Sequence, residues 1–447
     1  MNPILESAYR AWEKASGLRA RRDRYKRYTY GDQWGDIMPD NKGRLRREEE
    51  LIRLSGSKPL TNNMIRQLVK SVVGRYRVLS AEQGRYTKGA MAEIARRNSL
   101  AELDSRMLEE FLISGCAIQR ITDERRWDGC GIWIDNVDPR RFFVNAFSDP
   151  RGWDIDMAGM LHDMSMPEII NRFAGDSPRR AAELQDLYSG LDMTGALQSA
   201  ALGASADGDS FFCSAEASRY RVIEVWTLDC RDNEDVSRAS KRFVWHCRYL
   251  APDGTVLSEY DSPYGHGAHP FVVKFYPLTD GEVHPFVEDV IDQQRHINRL
   301  IVMMDRMLAT AAKGVLLYPM DQMVEGFSWD DITSVWARTD GVIPVSGRGE
   351  HLPQQVVTNT SDTGAYQLLQ LQLKLFDDIS GVGAALLGRS DVSARGADML
   401  DSQIRMASIA LTDIYDTFGS FVDARDVKAL GKVSPSSYTR RRRPASA

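Results

Sequence analysis

Residues 285–312 read PFVEDVIDQQRHINRLIVMMDRMLATAA, and the fold is organised around this stretch. Its apolar residues recur every three or four positions, which is the period of one helix face. Pro285 suits a first helical turn and Gly314 suits a stop. A helix of about 27 residues, rising about 1.5 Å per residue, would be about 40 Å long. The apolar face of this predicted helix consists of Val287, Val290, Ile291, Ile297, Ile301, Met304, Leu308 and Ala311.

Downstream, the pattern changes to short β-like runs at 314–318 and 341–345, separated by Pro, Gly and acidic turns. A second helical run, TGAYQLLQLQLKLFDDIS, follows at 363–380. The glycine-rich segment GVGAALLGRSDVSARG occupies 381–396, and a third helix is predicted at 397–424. Two long helices therefore flank a small β module, and a loop joins the second of them to another long helix.

The first 284 residues alternate between helical and strand-like patterns. A helix is predicted from about Thr61, where Thr61 and Asn62 are natural caps, and another over 88–114. Residues 188–214 are rich in Gly, Ala and Ser and predict a long loop. Strands are predicted at 117–122, 131–137, 141–144, 220–228, 242–250 and 271–276, and a further helix from near Met166. This mixture predicts an α+β fold.

Composition limits the function classes. With 447 residues, 43% of them hydrophobic, the chain can bury a core and hold two or more domains. Five scattered cysteines without a CxxC pair indicate free thiols in a reducing compartment. No signal pattern and no apolar run of about 18 residues is present, so neither secretion nor a membrane span is expected. The net charge of −5 argues against nucleic-acid binding by wholesale phosphate neutralisation.

Motifs that would carry catalysis or bind a cofactor or metal are weak. The Gly431–Lys432 pair lacks the glycine spacing and the Ser or Thr of a phosphate-binding loop. His266 and His269 form an HxxH in a glycine-rich loop without a paired Cys or acidic ligand. An acidic group is read as surface turns, because its spacing fits neither an EF-hand nor a zinc site: Asp149, Asp154, Asp156, His162 and Asp163. No catalytic residue, cofactor or metal is predicted.

The first 30 residues are basic, which favours a solvated helix face over a nucleic-acid contact. Tyr25, Tyr28, Tyr30 and Trp34 lie among these charges. Basic residues interleaved with aromatics can stack single-stranded bases, but an aromatic core is the simpler prediction.

Several motifs together resemble the portal proteins of tailed phages. They are HPFVVKFYPLTDGEVHPFVEDVIDQQRHIN from His269, KGVLLYP from Lys313 and ISGVGAALLG from Ile379. RRDRYKRYTYGDQW at 21–34, followed by LTNNMIRQLVKSVVGRYRV at 60–78, is similar to the phage P22-like branch. Each motif is loose, but they occur in the family's order over most of residues 5–424.

The resemblance implies a portal fold with a mixed α/β wing, two stem helices and a small clip that contains β structure. Its expected parts are a wing at 1–284, a first stem helix at 285–312, a clip at 313–362, a second stem helix at 363–380, a tunnel loop at 381–396, a helix behind that loop at 397–424, and a short basic tail at 425–447 in place of a full crown. The tail contains the run Arg440 to Arg443, which we expect to be disordered.

The resemblance also implies a function. Portals form rings, usually of twelve copies, at one capsid vertex, and double-stranded DNA is packaged and ejected through the ring. Terminase and head-completion or tail adaptor proteins dock on the ring, and major capsid and scaffolding proteins surround it. The implied protein is a non-enzymatic virion component, assembled in the host cytoplasm. Twelve copies at −5 each would carry −60, and a lumen of that sign would let DNA slide.

Two groups of site residues follow from this resemblance. The tunnel loop would face DNA through Gly383, Leu387, Gly388, Arg389, Ser390, Ser393 and Arg395. The stem would pack through Ile297, Ile301, Met304 and Leu308 of the first helix and Leu369, Leu373 and Phe376 of the second.

Two other classes stay open. One is a different head-to-tail connector or scaffold ring, which would form rings without binding terminase. The other is a cytosolic enzyme with an unrecognised site, which a pocket of convergent polar residues with perturbed pKa values would support.

Overall fold

The computed structural model describes residues 2–40, 42–87, 89, 91–126, 129–202, 210–214, 216, 218–232, 241–311, 315–320, 323–324, 326–337, 342–346, 353–356, 363–382, 409 and 411–431. The chain divides into two units. The large unit comprises Met1–Asp32, Asn63–Ile291 and Asp377–Ala447. The small unit comprises Gln33–Asn62 and Asp292–Phe376.

Helices account for much of both units. They are α1 (Pro3–Lys14), α2 (Ser16–Tyr30), α3 (Glu48–Leu54), α4 (Met64–Glu82), α5 (Ala92–Asn98), α6 (Leu100–Ser114), α7 (Met166–Phe173), α8 (Pro178–Leu202), α9 (Glu288–Ala311), α10 (Trp329–Ala337), α11 (Thr363–Ser380) and α12 (Thr412–Leu430). The side chain of Asn63 caps α4 by accepting the Arg66 N–H at 3.0 Å, one position beyond the predicted caps.

Antiparallel sheets make up the rest. The strands are β1 (Ile37–Pro39), β2 (Leu45–Arg47), β3 (Cys116–Arg126), β4 (Gly129–Asn136), β5 (Phe142–Val144), β6 (Met157–Met164), β7 (Tyr220–Asp232), β8 (Lys241–Leu250), β9 (Val256–Asp261), β10 (Phe271–Phe275), β11 (Pro277–Thr279), β12 (Glu282–Val283), β13 (Val315–Leu317) and β14 (Gln354–Val356). In the large unit β5 to β9 form a five-stranded meander, β10-β3-β4 form a second sheet and β11-β12 form a ribbon. In the small unit β1-β2 and β13-β14 are two-stranded ribbons. This mixture confirms the α+β class.

The five-stranded sheet has a core on both faces, as its central strand β7 shows. Side chains alternate between faces along a strand. Val222 and Trp226 pack into one cluster with Phe142, whereas Ile223 and Val225 pack into the other. Leu5 and Ala8 of α1, both fully buried, belong to that second cluster. The core of the large unit is therefore built on both sides of this meander.

Two predictions for the region before residue 203 were wrong. The helix predicted over 88–114 is two helices, because Ser99 adopts a left-handed conformation (φ 50°) between α5 and α6. The loop predicted over 188–214 begins as helix, since α8 continues to Leu202. Its Ala, Leu, Met and Gln residues are good helix formers and outweigh the scattered glycines. Residues 203–209 lie outside the described part of the chain.

The module after α9 also differs from the prediction. β13 pairs with β14, and 342–346 form no strand. Residues 329–337 form α10, which the sequence reading missed. Ser328 and Asp331 hold its first turn, because the Asp331 carboxylate accepts from the Ser328 N–H at 2.9 Å and its hydroxyl at 2.7 Å. A Ser followed three positions later by Asp is a helix-start pattern that could have revealed it.

The observed ends of the other long helices also differ from the predicted ends. The first stem helix starts at Glu288, because Pro285 to Val287 form a turn in which the Glu288 N–H donates to the Pro285 carbonyl at 2.9 Å. The helix predicted over 397–424 is described as α12 and runs to Leu430; residues 397–408 and 410 lie outside the described residues. The basic tail was predicted to start at 425, yet Arg425 is buried and donates to Asp104 at 2.5 Å.

Candidate functional site

Burial falls steadily along the predicted face of α9. Ile297 is fully buried, Ile301 and Met304 are half-buried, and Leu308 is 56% exposed. Leu300 is also buried, although it was not among the predicted packing residues. Packing within the subunit therefore holds the first half of the helix, whereas the second half presents apolar side chains to solvent.

The helix predicted to be the second stem helix, α11, shows the same mixture. Phe376 is 2% exposed, and Leu369 and Leu373 are half-buried. Tyr366 and Leu371 are each more than half exposed. The predicted packing residues of both helices thus lie in the small unit, but the structure buries only Ile297 and Phe376 fully among the seven.

Exposed apolar side chains concentrate in the small unit. Among the described residues, 14 large apolar side chains of this unit are exposed: Ile37, Leu45, Leu54, Leu60, Met303, Leu308, Leu317, Met320, Trp329, Val342, Val345, Tyr366, Leu368 and Leu371. The large unit, about three times as long, exposes 8: Tyr30, Val78, Trp153, Phe243, Ile379, Ile409, Val427 and Leu430. Among the described residues, exposed apolar side chains are therefore more frequent along the small unit than along the large one.

A buried carboxylate connects the amino-terminal part of the small unit to α9. Glu48, at the first position of α3, is 5% exposed. Its Oε2 accepts from Arg295 at 3.1 Å, and its Oε1 accepts from the Nε of Arg299 at 2.7 Å. The two arginines are one helical turn apart, so they reach the same carboxylate from one face of α9.

Buried amides form a second connection, centred on Asn298. Its side-chain oxygen accepts the backbone N–H of Asn62 at 3.1 Å, and its side-chain nitrogen donates to Gln33 at 2.5 Å. Gln294, one turn earlier, donates to the Asn62 carbonyl at 2.6 Å and to Asn298 at 3.1 Å. Gln33, Gln294 and Asn298 are at most 1% exposed. One side chain of α9 therefore holds the first and the last residue of the segment 33–62.

The sequence reading missed these polar residues. Gln294 and Asn298 are four positions apart and fall on the otherwise apolar face of α9. A polar pair at helical spacing within an apolar face indicates a buried hydrogen-bonded pair, since buried polar groups need partners. That signal was present in QQRHIN. Nothing local marked Glu48 among its acidic neighbours.

The tunnel-loop residues, from Gly383 to Arg395, lie outside the described residues. The structure does describe the end of α11 before them. Gly381 adopts a left-handed conformation (φ 64°), which commonly ends a helix. Val382 is fully buried, and its N–H donates to the Ser380 hydroxyl at 3.2 Å. The predicted helix break at 381 is confirmed.

Glu224 is the centre of a buried polar cluster in the large unit. Its carboxylate accepts from Trp226 Nε1 at 2.7 Å and lies 3.0 Å from Arg120 and 2.6 Å from His162. Burial opposes ionisation of Glu224, but these cations outweigh it and hold the pKa of Glu224 far below its ordinary value. Burial lowers the pKa of His162. Arg120 of β3 and Glu224 of β7 thereby join two sheets of the large unit.

A cleft of about 410 Å³ opens beside this cluster, and several of its polar lining residues are paired. Asp163 lies 3.0 Å from Arg141, and Arg172 donates to the Tyr249 hydroxyl at 2.7 Å. Glu168 accepts the Ser165 N–H at 2.7 Å in a helix capping box. Pairing of this kind is typical of a structural polar network.

The HxxH residues lie beside a buried lysine rather than at a metal site. Burial lowers the pKa of His266 to about 4 and the pKa of His269 well below its ordinary value. Burial also lowers the pKa of Lys428 to about 7, and its Nζ donates to the Phe271 carbonyl at 2.5 Å. Within the described part of the chain, no three His, Cys, Asp or Glu side chains are placed to hold a metal ion.

Most residues of the acidic group that was predicted to form surface turns do lie in such turns. The Asp154 carboxylate accepts the backbone N–H groups of Ser148 and Asp149, at 2.7 and 3.1 Å, in an exposed turn. His162 and Asp163 are the exceptions, because both lie in strand β6 and their side chains are 11% and 5% exposed. Asp163 pairs with Arg221 at 3.3 Å. Four cysteines, Cys116, Cys213, Cys230 and Cys247, are free thiols, and burial raises the pKa of Cys116 to about 12.

The first two helices are less solvated than their charge predicts. Arg22 is 3% exposed, and it donates to both oxygens of Glu110 at 2.7 and 2.9 Å. Tyr25 and Tyr28 are buried in the large unit, and Trp34 is buried in the small one. The prediction of an aromatic core is confirmed for these three, whereas Tyr30 is 54% exposed.

Comparison of the sequence with known protein families gave a match. A sequence model of the phage P22-like portal protein family matches residues 86–424. The chain belongs to this family. The match includes the predicted stem, clip and tunnel-loop segments of the portal, but not the motifs at 21–34 and 60–78. A search of curated proteins returned no match.

Membership in this family indicates the kind of protein to which the chain belongs. The family is a structural one, and its members are components of the phage virion. Within the described ranges, no helix is both long and apolar enough to cross a bilayer. Helices α9 and α11, which the resemblance predicts to be stem helices, lie inside the matched range, as does the cluster around Glu224.

Proposed function

We propose that this portal protein assembles into a ring of about twelve copies that forms the DNA channel at one capsid vertex. Double-stranded DNA would be packaged into the head and later ejected through it. Terminase and then head-completion or tail adaptor proteins would dock on the ring, with major capsid and scaffolding proteins around it. The family match supports this proposal.

The observation that carries the proposal is the exposed apolar surface of the small unit. Removing apolar area from water is favourable by about 25 cal/mol per Å², and this gain offsets the entropy that is lost when subunits associate. Ring closure by identical subunits places one surface of each copy against a different surface of the next. Side chains such as Leu308, Val342 and Leu371, exposed at 56%, 85% and 51%, would become buried by this arrangement.

The portal parts named from the resemblance are assigned on the same basis. We assign residues 1–284 to the wing, 285–312 and 363–380 to the stem helices, 313–362 to the clip and 381–396 to the tunnel loop. Helix α12 (Thr412–Leu430) would lie behind the loop. The net charge of −5 per copy supports a channel that does not hold DNA tightly.

Mass and symmetry of the purified protein test the proposal. Light scattering and negative-stain class averages on one sample should show rings with a central hole and about twelve subunits. Binding of terminase to those rings would then separate a portal from another connector. Protein that stays monomeric at high concentration, and also when scaffolding and capsid proteins are added, would contradict the proposal.

The DNA-facing role of the tunnel loop has its own test. Deleting residues 387–392 removes Leu387 and Arg389 together with two neighbouring polar groups. We expect rings of normal size and less DNA packaged per head, because the loop would no longer contact the translocating duplex. Heads that contain the normal length of DNA would remove this role from the loop.

A further inference from the structure

Residues 33–62 stand apart from the sequence around them, because they belong to the small unit while both flanking regions belong to the large one. This brace segment, as we call residues 33–62, comprises the ribbon β1-β2 and helix α3. It lies in the range assigned to the wing, yet its partner within its own unit is the first stem helix.

The brace segment is folded tightly on itself. The backbone N–H groups of Glu48 and Glu49 donate to the carbonyls of Asp36 and Trp34, at 2.9 and 3.1 Å, so the first turn of α3 is fixed to the start of the segment. Trp34 is buried, and its Nε1 donates to the Thr61 hydroxyl at 3.0 Å. The segment is therefore a closed loop whose beginning and end meet.

Both ends of this loop are held by one residue of α9. Asn298 accepts from the Asn62 N–H and donates to Gln33, and it is 1% exposed. An apolar residue here would leave the Asn62 N–H and the buried Gln33 amide without this partner, and a buried polar group that loses its partner costs about 1–3 kcal/mol in general. Asn298 thus has a reason to be polar on an apolar helix face.

The middle of the loop is held by charge. Glu48 is 7% exposed as a side chain, and it pairs with Arg295 and Arg299, whose side chains are 20% and 45% exposed. Met38 of β1 approaches both guanidinium groups, at 3.9 and 3.5 Å from its sulfur. A carboxylate buried between two arginines fixes the rotation of the helix about its own axis, because both arginines must point at the same residue.

We infer that the brace segment positions the first stem helix for ring assembly, with Glu48 and Asn298 as the positioning residues. This inference rests on the proposed ring. The half of α9 that presents apolar side chains, around Leu308, follows directly after the half that the brace holds. The brace therefore decides the direction in which the apolar face of α9 points toward the next copy.

The test compares Glu48→Gln with Glu50→Gln. Both lie in α3, but Glu50 is exposed and faces Arg46 at 3.8 Å rather than α9. Glu48→Gln removes the charge and keeps the shape, so we expect the fraction of protein in rings to fall about tenfold at a fixed concentration. Glu50→Gln should assemble as the unchanged protein does.

Amide hydrogen exchange on the unassembled subunit gives a readout that does not depend on rings. Glu48→Gln should speed exchange in 33–62 and in α9 while the five-stranded sheet of the large unit keeps its protection. The charge-reversed pair Glu48→Arg with Arg299→Glu should recover rings, compared with Glu48→Arg alone. Recovery of rings together with slow exchange in 33–62 would tie assembly to this ion pair.

The outcomes separate the two proposals. If the unchanged protein forms no rings, the proposed function fails, and the exchange data alone decide whether the brace holds α9. If it forms rings and Glu48→Gln forms as many, with the same exchange in 33–62, the inference is overturned. Asn298→Leu provides the second variant, and it should lower ring formation in the same direction.

Discussion

The two units of this portal bury their apolar side chains very differently. The large unit covers both faces of its five-stranded sheet and buries even the charged pair Arg120–Glu224. The small unit, about a quarter of the 447 residues, leaves side chains such as Met320 and Val342 at least 80% exposed. The contrast shows that one unit is completed within the subunit, whereas the other has apolar surface left for partners.

Architecture explains the contrast. A two-stranded ribbon is marginal alone, because it has too little surface to form a layer. The small unit has two such ribbons, β1-β2 and β13-β14, and parts of two long helices. A small unit of this kind buries a low fraction of its surface. The proposed ring supplies the missing layer from neighbouring copies.

The largest expected effect is in the large unit. Glu224→Ala leaves the buried Arg120 without its carboxylate, so the free energy of unfolding should fall by about 3–5 kcal/mol. The side chain of Glu216 is 61% exposed and pairs with Arg219 at the surface. Glu216→Ala should therefore lower the free energy of unfolding by at most about 1 kcal/mol. Urea unfolding of the unassembled subunit measures both. Equal losses for the two variants would show that burial does not decide the outcome.

The opposite pattern is expected in the small unit. Leu308→Asp places a charge on exposed apolar surface, so the unfolding free energy of the single subunit should change by less than about 0.5 kcal/mol. Ring formation should nevertheless fall at least about tenfold, because the interface would bury an unpaired charge. Leu430→Asp is the matched control, since Leu430 is 46% exposed in the large unit. Rings that form normally with Leu308→Asp would show that Leu308 does not lie in the interface between copies.

Acid should destabilise the large unit through its buried histidines. The pKa of His266 is about 4 in the fold and near 6.5 when unfolded, and that of His269 is also lowered. The unfolded state therefore binds more protons, and stability is lost as the pH falls from about 6.5 to about 4. Urea unfolding at pH 7.5, 6 and 4.5 measures this loss.

The double variant His266→Asn with His269→Asn isolates that contribution from the acidic residues. Its unfolding free energy should depend less on pH between 6.5 and 4 than that of the unchanged protein. If the unfolding free energies of the two proteins depended equally on pH, these histidines would not be held neutral by burial. Hydrogen exchange in β10, which contains Phe271, would locate the loss.

Local patterns in the sequence determined most of the secondary structure. The three-to-four spacing in 285–312 predicted α9, and the short apolar runs at 220–228 and 242–250 predicted β7 and β8. The order of motifs from His269 to Ile379 predicted the portal family. These features could be read directly because helix and strand periods, and the order of motifs, are properties of neighbouring residues.

Tertiary structure alone decided which residues of a pattern are buried and which distant residues meet. Ile297 and Leu308 occupy the same predicted face of α9, yet one is fully buried and the other 56% exposed. Gln33 and Asn62 meet at Asn298, more than 230 positions along the chain. Periodicity orients a side chain on its own helix, but burial depends on what the rest of the chain places against it.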